Sequence, residues 1–362
     1  MSLPQPLSAD IIDNIINVVV CDDSALVRAA VARILEREPG ISVIARVGDG
    51  RLAVAEVARR RGGAQPVDVV VLDLEMPVMD GMTALPLLLS ADPSVRVLIS
   101  STTTTRGAET ALRALSLGAS DYLPKPRAGD GAAGSRFSAE LLAKVRGLSR
   151  LRRHAAVRAP ERPLQIRPFP PARPPRLLAI GSSTGGPNAL FTLVRELLHL
   201  PIPVVLTQHM PPAFTPILAE HITRLGGMPC TEAQDHEMLA PGRIYIAPGD
   251  RHLLLHAAAG GLQVRLSNEP AENYCRPSVD PMMRSATAAC PGQVLVVMLT
   301  GMGRDGLEGT RCVVESGGTA LAQDEATSVV WGMPGAIARA GLCHAVLPVG
   351  ELGAKIRDIV LR

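Results

Sequence analysis

Short apolar runs alternate with amphipathic stretches along the first third of the chain. The runs are rich in Val, Ile and Leu and predict buried strands at 17–21, 41–47, 68–72, 95–99 and 121–123. The stretches that follow them have apolar residues at helical spacing, over 25–38, 52–60, 82–89, 109–117 and 138–153. Strands and helices that alternate in this way predict a doubly wound parallel sheet, the flavodoxin-like α/β fold.

The predicted strands end in polar residues that a binding site could use. In chain order these residues are Asp22 and Asp23, Asp73, Ser100 or Ser101, and Lys125. Because the carboxyl ends of parallel strands meet at one edge of a sheet, we expect these side chains to lie together. Three carboxylates suit a hard cation such as Mg²⁺, and a carboxylate beside it can accept a phosphoryl group, whose oxygens the lysine and hydroxyl would bind. Solvated acidic loop ends are the alternative.

The second half of the chain repeats this alternation. Strands are predicted at 177–180, 203–207, 293–299 and 319–322. Helices are predicted at 189–198, 213–224, 281–289 and 334–340, with one more between residue 306 and the strand at 319–322. Segments 243–247 and 252–256 predict a β-ribbon around residues 248–250, and 263–266 is strand-like. The pattern predicts a second α/β domain, also with a doubly wound parallel sheet.

A glycine-flanked serine follows the first strand of this second domain. Gly181, Ser183 and Gly185 fit the nucleophile-elbow pattern, in which a sharp strand-to-helix turn exposes a serine hydroxyl. Pro187 stands where the first helical residue should be, and the N–H groups of a helix start can stabilise an oxyanion. A phosphate-binding loop or a plain turn is the alternative, although the Gly-Lys-Ser/Thr of a P-loop is absent.

Two further strand ends offer the partners that a catalytic serine needs. His209 follows the strand at 203–207, and Asp305 lies between glycines after the strand at 293–299. At one edge of a parallel sheet, His209 could take the Ser183 proton and Asp305 could orient the imidazole. A structural histidine and a helix-capping aspartate are the alternatives. The chain order Ser, His, Asp differs from the three common triad orders, so the hypothesis depends on placement alone.

Proline and arginine dominate the segment between the two halves. The prolines over 158–176 exclude a helix and favour an extended, semi-rigid linker, whose arginines are either solvated or in contact with acidic partners. The predicted organisation is an N-terminal extension at 1–16, a first domain at 17–136, a helix end and linker at 137–175, and a second domain at 176–362.

Composition narrows the class of protein without assigning a function. A chain of 362 residues that is 47% hydrophobic has room for two cores. A net charge of +3 and 2% aromatic residues do not favour nucleic-acid binding. The six cysteines lack Cys-x-x-Cys spacing, so neither zinc nor a disulfide framework is predicted. The sequence has no recognisable targeting segment or membrane-spanning run, and we expect a cytoplasmic protein without membrane insertion.

Residues 17–126 resemble the receiver domain of bacterial response regulators. The resemblance lies in Asp22-Asp23, Asp73, Met76-Pro77, Asp80-Gly81, Ser100 and Lys125-Pro126. It implies that Asp73 is the phospho-acceptor, that Asp22 and Asp23 hold Mg²⁺ together with Asp73, and that Ser100 and Lys125 respond to the phosphate. Because the loop after the strand is longer than in minimal receivers, Ser101 stays an alternative to Ser100.

Residues 177–350 resemble the catalytic domain of the protein-glutamate methylesterases of bacterial chemotaxis. The matching segments are 181–187, 208–211, 246–249, 276–280, 299–303 with Asp305-Gly306, 322–325 and 332–334. The resemblance implies Ser183 as nucleophile, His209 as base and Asp305 as its orienting acid, with Thr184 and the N–H of Met302 in the oxyanion hole. Mild departures from the family pattern, which bear on fine specificity, are Ser182, Arg304 and Gly335-Ala336.

Together the two resemblances imply a phosphorylation-controlled esterase. The implied reaction removes methyl groups from γ-glutamyl esters on chemoreceptors, and deamidation of glutamine at such sites is implied as well. No cofactor is expected for the esterase step, and a histidine kinase is the expected phosphodonor. The unmodified receiver would cover the Ser183 cleft until phosphorylation shifts it. A serine hydrolase for another ester or amide, and a non-enzymatic module that docks on receptors, are the alternatives.

Overall fold

The computed structural model describes residues 15–101, 104–125, 131–153, 164–170, 174–197 and 199–361. The chain forms two compact units, one mainly from the residues up to 155 and the other mainly from the residues after it. Most of the predicted N-terminal extension and much of the linker lie outside the described residues, so the domain boundaries stay a prediction. None of the described helices is long and apolar enough to cross a membrane.

The first unit is a parallel sheet with helices wound around it. Its strands are β1 (Ile16–Cys21), β2 (Ile41–Val47), β3 (Val69–Asp73), β4 (Arg96–Ser101) and β5 (Asp121–Pro124). The helices along this part of the chain are α1 (Ala25–Glu36), α2 (Gly50–Arg60), α3 (Gly81–Ala91), α4 (Thr105–Ser116) and α5 (Gly131–Arg153). The strand order is β2-β1-β3-β4-β5, and all neighbours are parallel. The predicted doubly wound fold is confirmed for this unit, with the strand order reversing at β1.

Burial and capping explain where several of these elements lie. β3 reads Val-Val-Val-Leu-Asp and is buried along its whole length, as a central strand of a parallel sheet should be. Ser24, Asp49 and Asp80 precede α1, α2 and α3, and each accepts a hydrogen bond from the N–H three residues further on. Such caps satisfy N–H groups that a helix start leaves without a partner. Local sequence therefore determines three helix starts in this unit.

A buried ion pair joins the last helix of the unit to β5. Lys144 on α5 places its Nζ 2.8 Å from Asp121 Oδ2 and 2.6 Å from the carbonyl oxygen of Tyr122. Burial by itself lowers the pKa of Lys144, but the charges of Asp121 and Glu140 outweigh burial and raise that pKa. The charged ammonium of Lys144 therefore holds α5 against β5, the strand that Lys125 follows.

The second unit contains a larger parallel sheet and a separate hairpin. Its strands are β6 (Leu177–Ser182), β7 (Val204–Gln208), β8 (Cys230–Glu232), β9 (Ile244–Ile246), β10 (His252–Ala258), β11 (Gly261–Ser267), β12 (Val294–Met298), β13 (Thr319–Gln323) and β14 (Ala345–Leu347). Its helices are α6 (Gly186–Val194), α7 (Thr215–Arg224), α8 (Val279–Ala289), α9 (Leu307–Glu315), α10 (Met333–Arg339) and α11 (Val349–Val360). The sheet order is β14-β13-β12-β6-β7-β9-β8, and its neighbouring strands are parallel.

The chain order of this sheet reverses at β6. This strand pairs with β7 on one side and with β12 on the other. Such a reversal opens a crevice at the carboxyl ends of the strands, where ligands bind in open α/β sheets. The residues that follow β6, β7 and β12 are therefore brought to one place, and they include Ser183, His209 and Asp305.

The predicted β-ribbon of 243–247 with 252–256 is wrong. β9 instead lies in the main sheet, parallel to β7 and β8, and β10 pairs antiparallel with β11. Every residue of β9 is buried, which suits a strand inside a parallel sheet. The two residues between Ala258 and Gly261 form the actual hairpin turn, and Gly260 there has φ +108°, which favours glycine.

Residues 164–170, one described stretch of the predicted linker, run along the second unit. The Arg167 N–H donates to the carbonyl oxygen of Cys343 at 2.8 Å, and Leu164 packs against the core of the unit. The Lys355 ammonium lies 4.5 Å from the ring centre of Phe169. Most of these linker side chains are exposed, as expected for a solvated linker. The main chain is nevertheless hydrogen-bonded to the second unit through Arg167.

Replacing Lys144 tests how much the buried pair supports the first unit. We expect Lys144→Ala to lower the free energy of unfolding of this unit by about 3–5 kcal/mol, because the buried Asp121 carboxylate loses its counter-charge. The only tryptophan of the chain is Trp331 in the second unit. Trp331 fluorescence therefore reports the unfolding of the second unit alone, whereas far-UV circular dichroism reports the unfolding of both units. A transition that is seen by circular dichroism but not by fluorescence is the unfolding of the first unit.

The matched control for this prediction removes both charges. The double variant Lys144→Met, Asp121→Leu should recover most of the lost stability, because no buried charge is left alone. If the single variant cost less than about 1 kcal/mol, the value of an exposed ion pair, the proposed anchoring of α5 would be wrong.

Candidate active site

The predicted nucleophile Ser183 lies on a tight turn between β6 and α6. Its N–H donates to the carbonyl oxygen of Thr300 at 3.0 Å, and its own carbonyl accepts from the Gly186 N–H at 2.8 Å. Gly185 has φ +73°, and a Cβ on it would lie 2.3 Å from Val329 Cγ2. Only glycine fits at that position, so the turn holds Ser183 at the carboxyl edge of the sheet.

Gln208, at the end of β7, supports this turn from the neighbouring strand. Its Nε2 donates to the carbonyl oxygens of Ser183 at 2.9 Å and of His209 at 3.1 Å, and its Oε1 accepts from Ser182 Oγ at 2.7 Å. A Cβ on Gly186 would lie 2.0 Å from Gln208 Oε1. Ser182, one of the departures from the family pattern, is therefore part of the network that shapes the elbow.

His209 lies directly after β7 and contacts the predicted acid. Its N–H donates to the carbonyl oxygen of Ser182 at 3.1 Å. Its Nε2 lies 2.7 Å from Asp305 Oδ2, so we assign the Nε2 proton to this hydrogen bond. The side chains of His209 and Asp305 are 11% and 2% exposed, which shields the pair from water.

Asp305 is held by several hydrogen bonds besides the one to His209. The donors are the main-chain N–H groups of Val279, Asp280 and Gly306, the hydroxyl of Ser278 and the side-chain amide of Asn273. Their distances to the carboxylate lie between 2.7 and 3.1 Å. The N–H groups at the start of α8 also present the positive end of the helix dipole. The carboxylate is therefore stabilised in its ionised form.

The pKa values of the pair are shifted in opposite directions. Burial raises the pKa of Asp305, but the hydrogen bond and charge of His209 outweigh burial and, with the Val279 N–H, lower that pKa to about 2. Burial lowers the pKa of His209, but hydrogen bonds to Asp305 and Cys275 outweigh burial and raise that pKa. At Asp280, burial and the charge of Asp305 raise the pKa to about 6. The site therefore holds a basic imidazole against an ionised carboxylate.

The second imidazole nitrogen of His209 faces a thiol. Nδ1 lies 3.4 Å from Cys275 Sγ. Across the part of the chain that the structure describes, no hydrogen bond joins His209 to the Ser183 hydroxyl. The structure thus brings His209 and Asp305 into contact and places Ser183 at the adjacent strand end.

The two predicted oxyanion-hole residues flank Ser183. Thr184 follows it in the elbow, and the carbonyl oxygen of Thr184 accepts from Thr300 Oγ1 at 2.9 Å. A Cβ on Gly301 would lie 2.9 Å from the Cβ of Ser183, so the loop that contains Met302 passes beside the serine. Within the described ranges, the N–H groups of Thr184 and Met302 donate to no protein acceptor, as a role in an oxyanion hole requires.

The first unit gathers the predicted phosphorylation residues at the carboxyl edge of its sheet. One carboxylate oxygen each from Asp22, Asp23 and Asp73 lies within 4.8 Å of the others. Lys125 Nζ lies 2.8 Å from Asp22 Oδ2 and 2.9 Å from Asp73 Oδ2. Three carboxylates that converge on one point are a donor set that suits Mg²⁺, so these residues fit the ion.

Burial and charge oppose each other in this acidic cluster. Burial raises the pKa of Asp73, and the hydrogen bond and charge of Lys125 lower it, with a net upward shift. Burial lowers the pKa of Lys125, but its hydrogen bonds to Asp22 and Asp73 raise it more. The ammonium of Lys125 therefore forms ion pairs with two buried carboxylates, Asp22 and Asp73. A divalent cation would balance the negative charge that one ammonium leaves uncompensated.

Both candidate switch hydroxyls lie buried on β4. Ser100 is paired in register with Asp73 on β3. Ser101 is paired with Pro124, and its carbonyl oxygen accepts the Lys125 N–H at 2.7 Å. Both serines therefore border the acidic cluster; Ser100 stays the predicted switch residue and Ser101 its alternative.

Sequence reasoning assigned no role to four residues that surround the histidine–aspartate pair. These residues are Gln208, Asn273, Cys275 and Ser278. Gln208 and Ser278 fall inside segments that carry the family resemblance, which was the only signal for them. Asn273 and Cys275 lie on a turn between β11 and α8 that no hydrophobic pattern marks. They reach the site because the chain folds back there before α8 begins.

Fold and geometry define the class of this protein. One unit has a receiver-type strand order, with an acidic cluster and a lysine at its sheet edge. The other has a serine elbow and a histidine–aspartate pair at the switch point of a parallel sheet. The protein is thus a receiver domain joined to an α/β domain with the residue set of a hydrolase.

Comparison with known proteins identifies the family. The family model for CheB methylesterase matches residues 178–356, and that for the response regulator receiver domain matches 18–131. The protein-glutamate methylesterase/protein-glutamine glutaminase 1 of Paramagnetospirillum magneticum is 49% identical over 96% of this chain and 97% of its own length. The corresponding enzyme of Azospirillum brasilense is 48% identical over 96% and 93%.

A solved structure agrees with these matches. The crystal structure of the Thermotoga maritima CheB methylesterase catalytic domain shares 39% identity with a TM-score of 0.51, and the match covers 51% of this chain and 99% of that one. The chain belongs to the CheB methylesterase family, in the form that carries a receiver domain.

The shifted pKa values of the pair predict a pH window for its stability. The pKa of Asp305 is below its ordinary value, so its contribution is present above about pH 4 and is lost as the pH falls toward 2. The pKa of His209 is raised, so its contribution is complete below about pH 6.5 and is lost at higher pH. We expect Asp305→Asn to destabilise the second unit most between these limits, by on the order of 2 kcal/mol. Urea unfolding followed by Trp331 fluorescence measures the effect.

An exposed carboxylate in the same unit provides the control. Asp250 pairs with Arg276 at 2.7 Å, but the Asp250 side chain is 65% exposed. We expect Asp250→Asn to change the free energy of unfolding by less than about 1 kcal/mol at every pH. A loss in Asp305→Asn that stayed constant from pH 2 to pH 6 would contradict the assignment.

Proposed function

We propose that this protein hydrolyses γ-glutamyl methyl esters on methyl-accepting chemoreceptors, and that it also hydrolyses the side-chain amide of glutamine at such positions. Both activities appear in the names of its relatives. The observation that carries the proposal is the 2.7 Å contact between His209 Nε2 and Asp305 Oδ2 beside the Ser183 elbow. A nucleophilic serine needs such a base, held in one tautomer by a carboxylate.

Ser183 is the proposed nucleophile. Its Oγ attacks the ester carbonyl while His209 takes the hydroxyl proton at Nδ1, and Asp305 stabilises the imidazolium that forms. The new oxyanion accepts hydrogen bonds from the N–H groups of Thr184 and Met302. His209 then donates the proton to the leaving oxygen, so that methanol departs and an acyl-enzyme remains.

Water completes the proposed cycle. His209 removes a proton from a water molecule as that molecule attacks the acyl carbonyl, and Ser183 leaves with a proton returned from His209. The products are a glutamate side chain and the free enzyme; with a glutamine substrate, ammonia leaves in place of methanol. Each step uses groups of the chain itself, and we propose no cofactor for it.

The receiver is the proposed regulatory unit. We propose that a histidine kinase donates a phosphoryl group to Asp73 and that this phosphorylation raises the esterase activity. Mg²⁺ held by Asp22, Asp23 and Asp73 would neutralise the charge of the phosphoryl oxygens. Lys125, which contacts Asp22 and Asp73, would bind the new phosphate, and Ser100 would respond to it.

The cytoplasm is the proposed compartment. All six cysteines are free, and four of them are buried, which suits a compartment in which thiols stay reduced. The proposed partners are the chemoreceptors and the kinase, without nucleic acid and without insertion into the membrane.

Replacing Ser183 tests the proposed chemistry. We expect Ser183→Ala to lower methanol release from methylated receptor membranes by about a thousandfold or more, because loss of a nucleophile typically removes several orders of magnitude in rate. Circular dichroism and Trp331 fluorescence should be unchanged. Ser316→Ala, at the end of α9, is the matched control and should keep the native rate. A folded Ser183→Ala variant with near-native methanol release would refute the nucleophile, and native activity on small esters alone would indicate another substrate.

Replacing Asp73 tests the proposed phosphorylation. We expect Asp73→Asn to prevent labelling by acetyl phosphate with Mg²⁺, and acetyl phosphate should no longer raise its esterase activity. Asp80→Asn removes an exposed carboxylate that caps α3, and this control should still be labelled. Chelation of Mg²⁺ should stop labelling of the native chain. Stoichiometric labelling of Asp73→Asn would mean that another residue accepts the phosphoryl group.

A further inference from the structure

A strained turn lies beside the histidine–aspartate pair. Glu272 and Cys275 exchange two main-chain hydrogen bonds, of 2.9 and 3.1 Å. Asn273 and Tyr274 between them have φ values of +53° and +63°, the signature of a type I′ turn. Asparagine tolerates this conformation well, but tyrosine does so at a cost. Strain of this kind persists where surrounding contacts hold it, often at functional sites.

Two side chains of the turn contact the histidine–aspartate pair: Asn273 contacts Asp305, and Cys275 contacts His209. Asn273 Nδ2 donates to Asp305 Oδ1 and to Asp280 Oδ2, both at 2.9 Å. Cys275 Sγ lies 3.4 Å from His209 Nδ1, within hydrogen-bond distance for sulfur. A single turn therefore contacts both the carboxylate and the imidazole.

The nitrogen that Cys275 contacts is the one on which the proposed reaction depends. Nε2 of His209 is occupied by Asp305 at 2.7 Å, so only Nδ1 can take the proton of Ser183. Any group beside Nδ1 therefore influences both the direction of the ring and the ease with which that nitrogen is protonated.

We propose that Cys275 is a positioning residue of the esterase, which holds Nδ1 of His209 before substrate arrives and stabilises the imidazolium once it forms. This inference rests on the proposed function of Ser183 and His209. When Nδ1 carries the proton, the polarizable sulfur of Cys275 is a second acceptor for that N–H, beside the oxygen that gives or receives the proton, and Asp305 accepts from Nε2 on the other side of the ring. Two acceptors stabilise a charged ring more than one does.

The electrostatics of the site agree with this role. Burial lowers the pKa of His209, and hydrogen bonds to Asp305 and Cys275 raise it further than burial lowers it. The titratable groups that face the ring are Asp305 on the loop after β12 and Cys275 on the turn, with Asp280 at the start of α8 behind Asp305. Removal of the thiol should therefore make His209 less basic.

The dependence of kcat/KM on pH provides the first test, with the full chain and methylated receptor membranes. We expect Cys275→Ala to shift the ascending limb to lower pH by about one unit, a tenfold change in proton affinity, with KM unchanged because Cys275 acts through His209. Cys275→Ser, whose hydroxyl still accepts a hydrogen bond, should give an intermediate limb. If the ascending limb of the kcat/KM profile did not move in either variant, Cys275 would have only a structural role. If the limb moved to higher pH, Cys275 would lower the basicity of His209, which contradicts the proposal.

A measurement without turnover separates this inference from the proposed function. NMR titration of the His209 ring, identified by the signal lost in His209→Gln, should give a lower pKa in Cys275→Ala than in the native chain. If the native protein released no methanol, the proposed function would fail, while this titration would still decide the role of Cys275. An equal pKa in both proteins would overturn the inference.

Blocking the thiol gives an independent test. Methyl methanethiosulfonate forms a disulfide between Cys275 Sγ and its methylthio group, and methanesulfinate leaves. We expect the native chain to lose most of its esterase activity and to regain it with dithiothreitol. Apart from Cys275, only Cys312 is not buried among the cysteines of the chain, so Cys312→Ser is the control and should be inactivated like the native chain. Cys275→Ser should resist; its inactivation at the native rate would overturn the proposal.

Discussion

The hydrogen bond between His209 and Asp305 is the interaction on which the site of the second unit depends. It places a buried carboxylate against a buried imidazole, and burial alone would disfavour the charge on either. The carboxylate stays ionised because the start of α8, the turn at 272–275 and the loop after β12 all direct donors to it. Two regions that are distant in sequence, residues 272–280 and the loop after β12, must therefore meet at His209 to form the pair.

The two units share a fold class and carry different functional groups at the equivalent place, the carboxyl edge of the sheet. Each is a doubly wound parallel sheet, and each collects polar residues at the carboxyl edge near a point where the strand order reverses. In the receiver, several carboxylates converge around the ammonium of Lys125, an arrangement that suits a divalent cation. In the second unit, donors surround the Asp305 carboxylate, which contacts His209, so its charge stabilises a protonated imidazole.

Hydrophobic pattern predicted most of the elements that build these edges. The central strands could be predicted because full burial requires a continuous apolar run, as in Val69–Asp73 and Val294–Met298. The short strands Cys230–Glu232 and Ala345–Leu347 were missed, because three residues are too few to show a period. The pairing of Ile244–Ile246 was predicted wrongly, since a strand's own residues do not specify which neighbour it joins.

The sequence by itself determined the fold class, the family, and the residues at the strand ends, because motifs and periodicity are local properties that survive without a structure. Only the tertiary structure decided which nitrogen of His209 meets Asp305, and that Asn273 and Cys275 contact the pair. These contacts join residues 32 to 96 positions apart, across turns whose side chains follow no repeating pattern. The physical reason is that a hydrogen bond depends on distance and direction in space, which a linear order of residues does not contain.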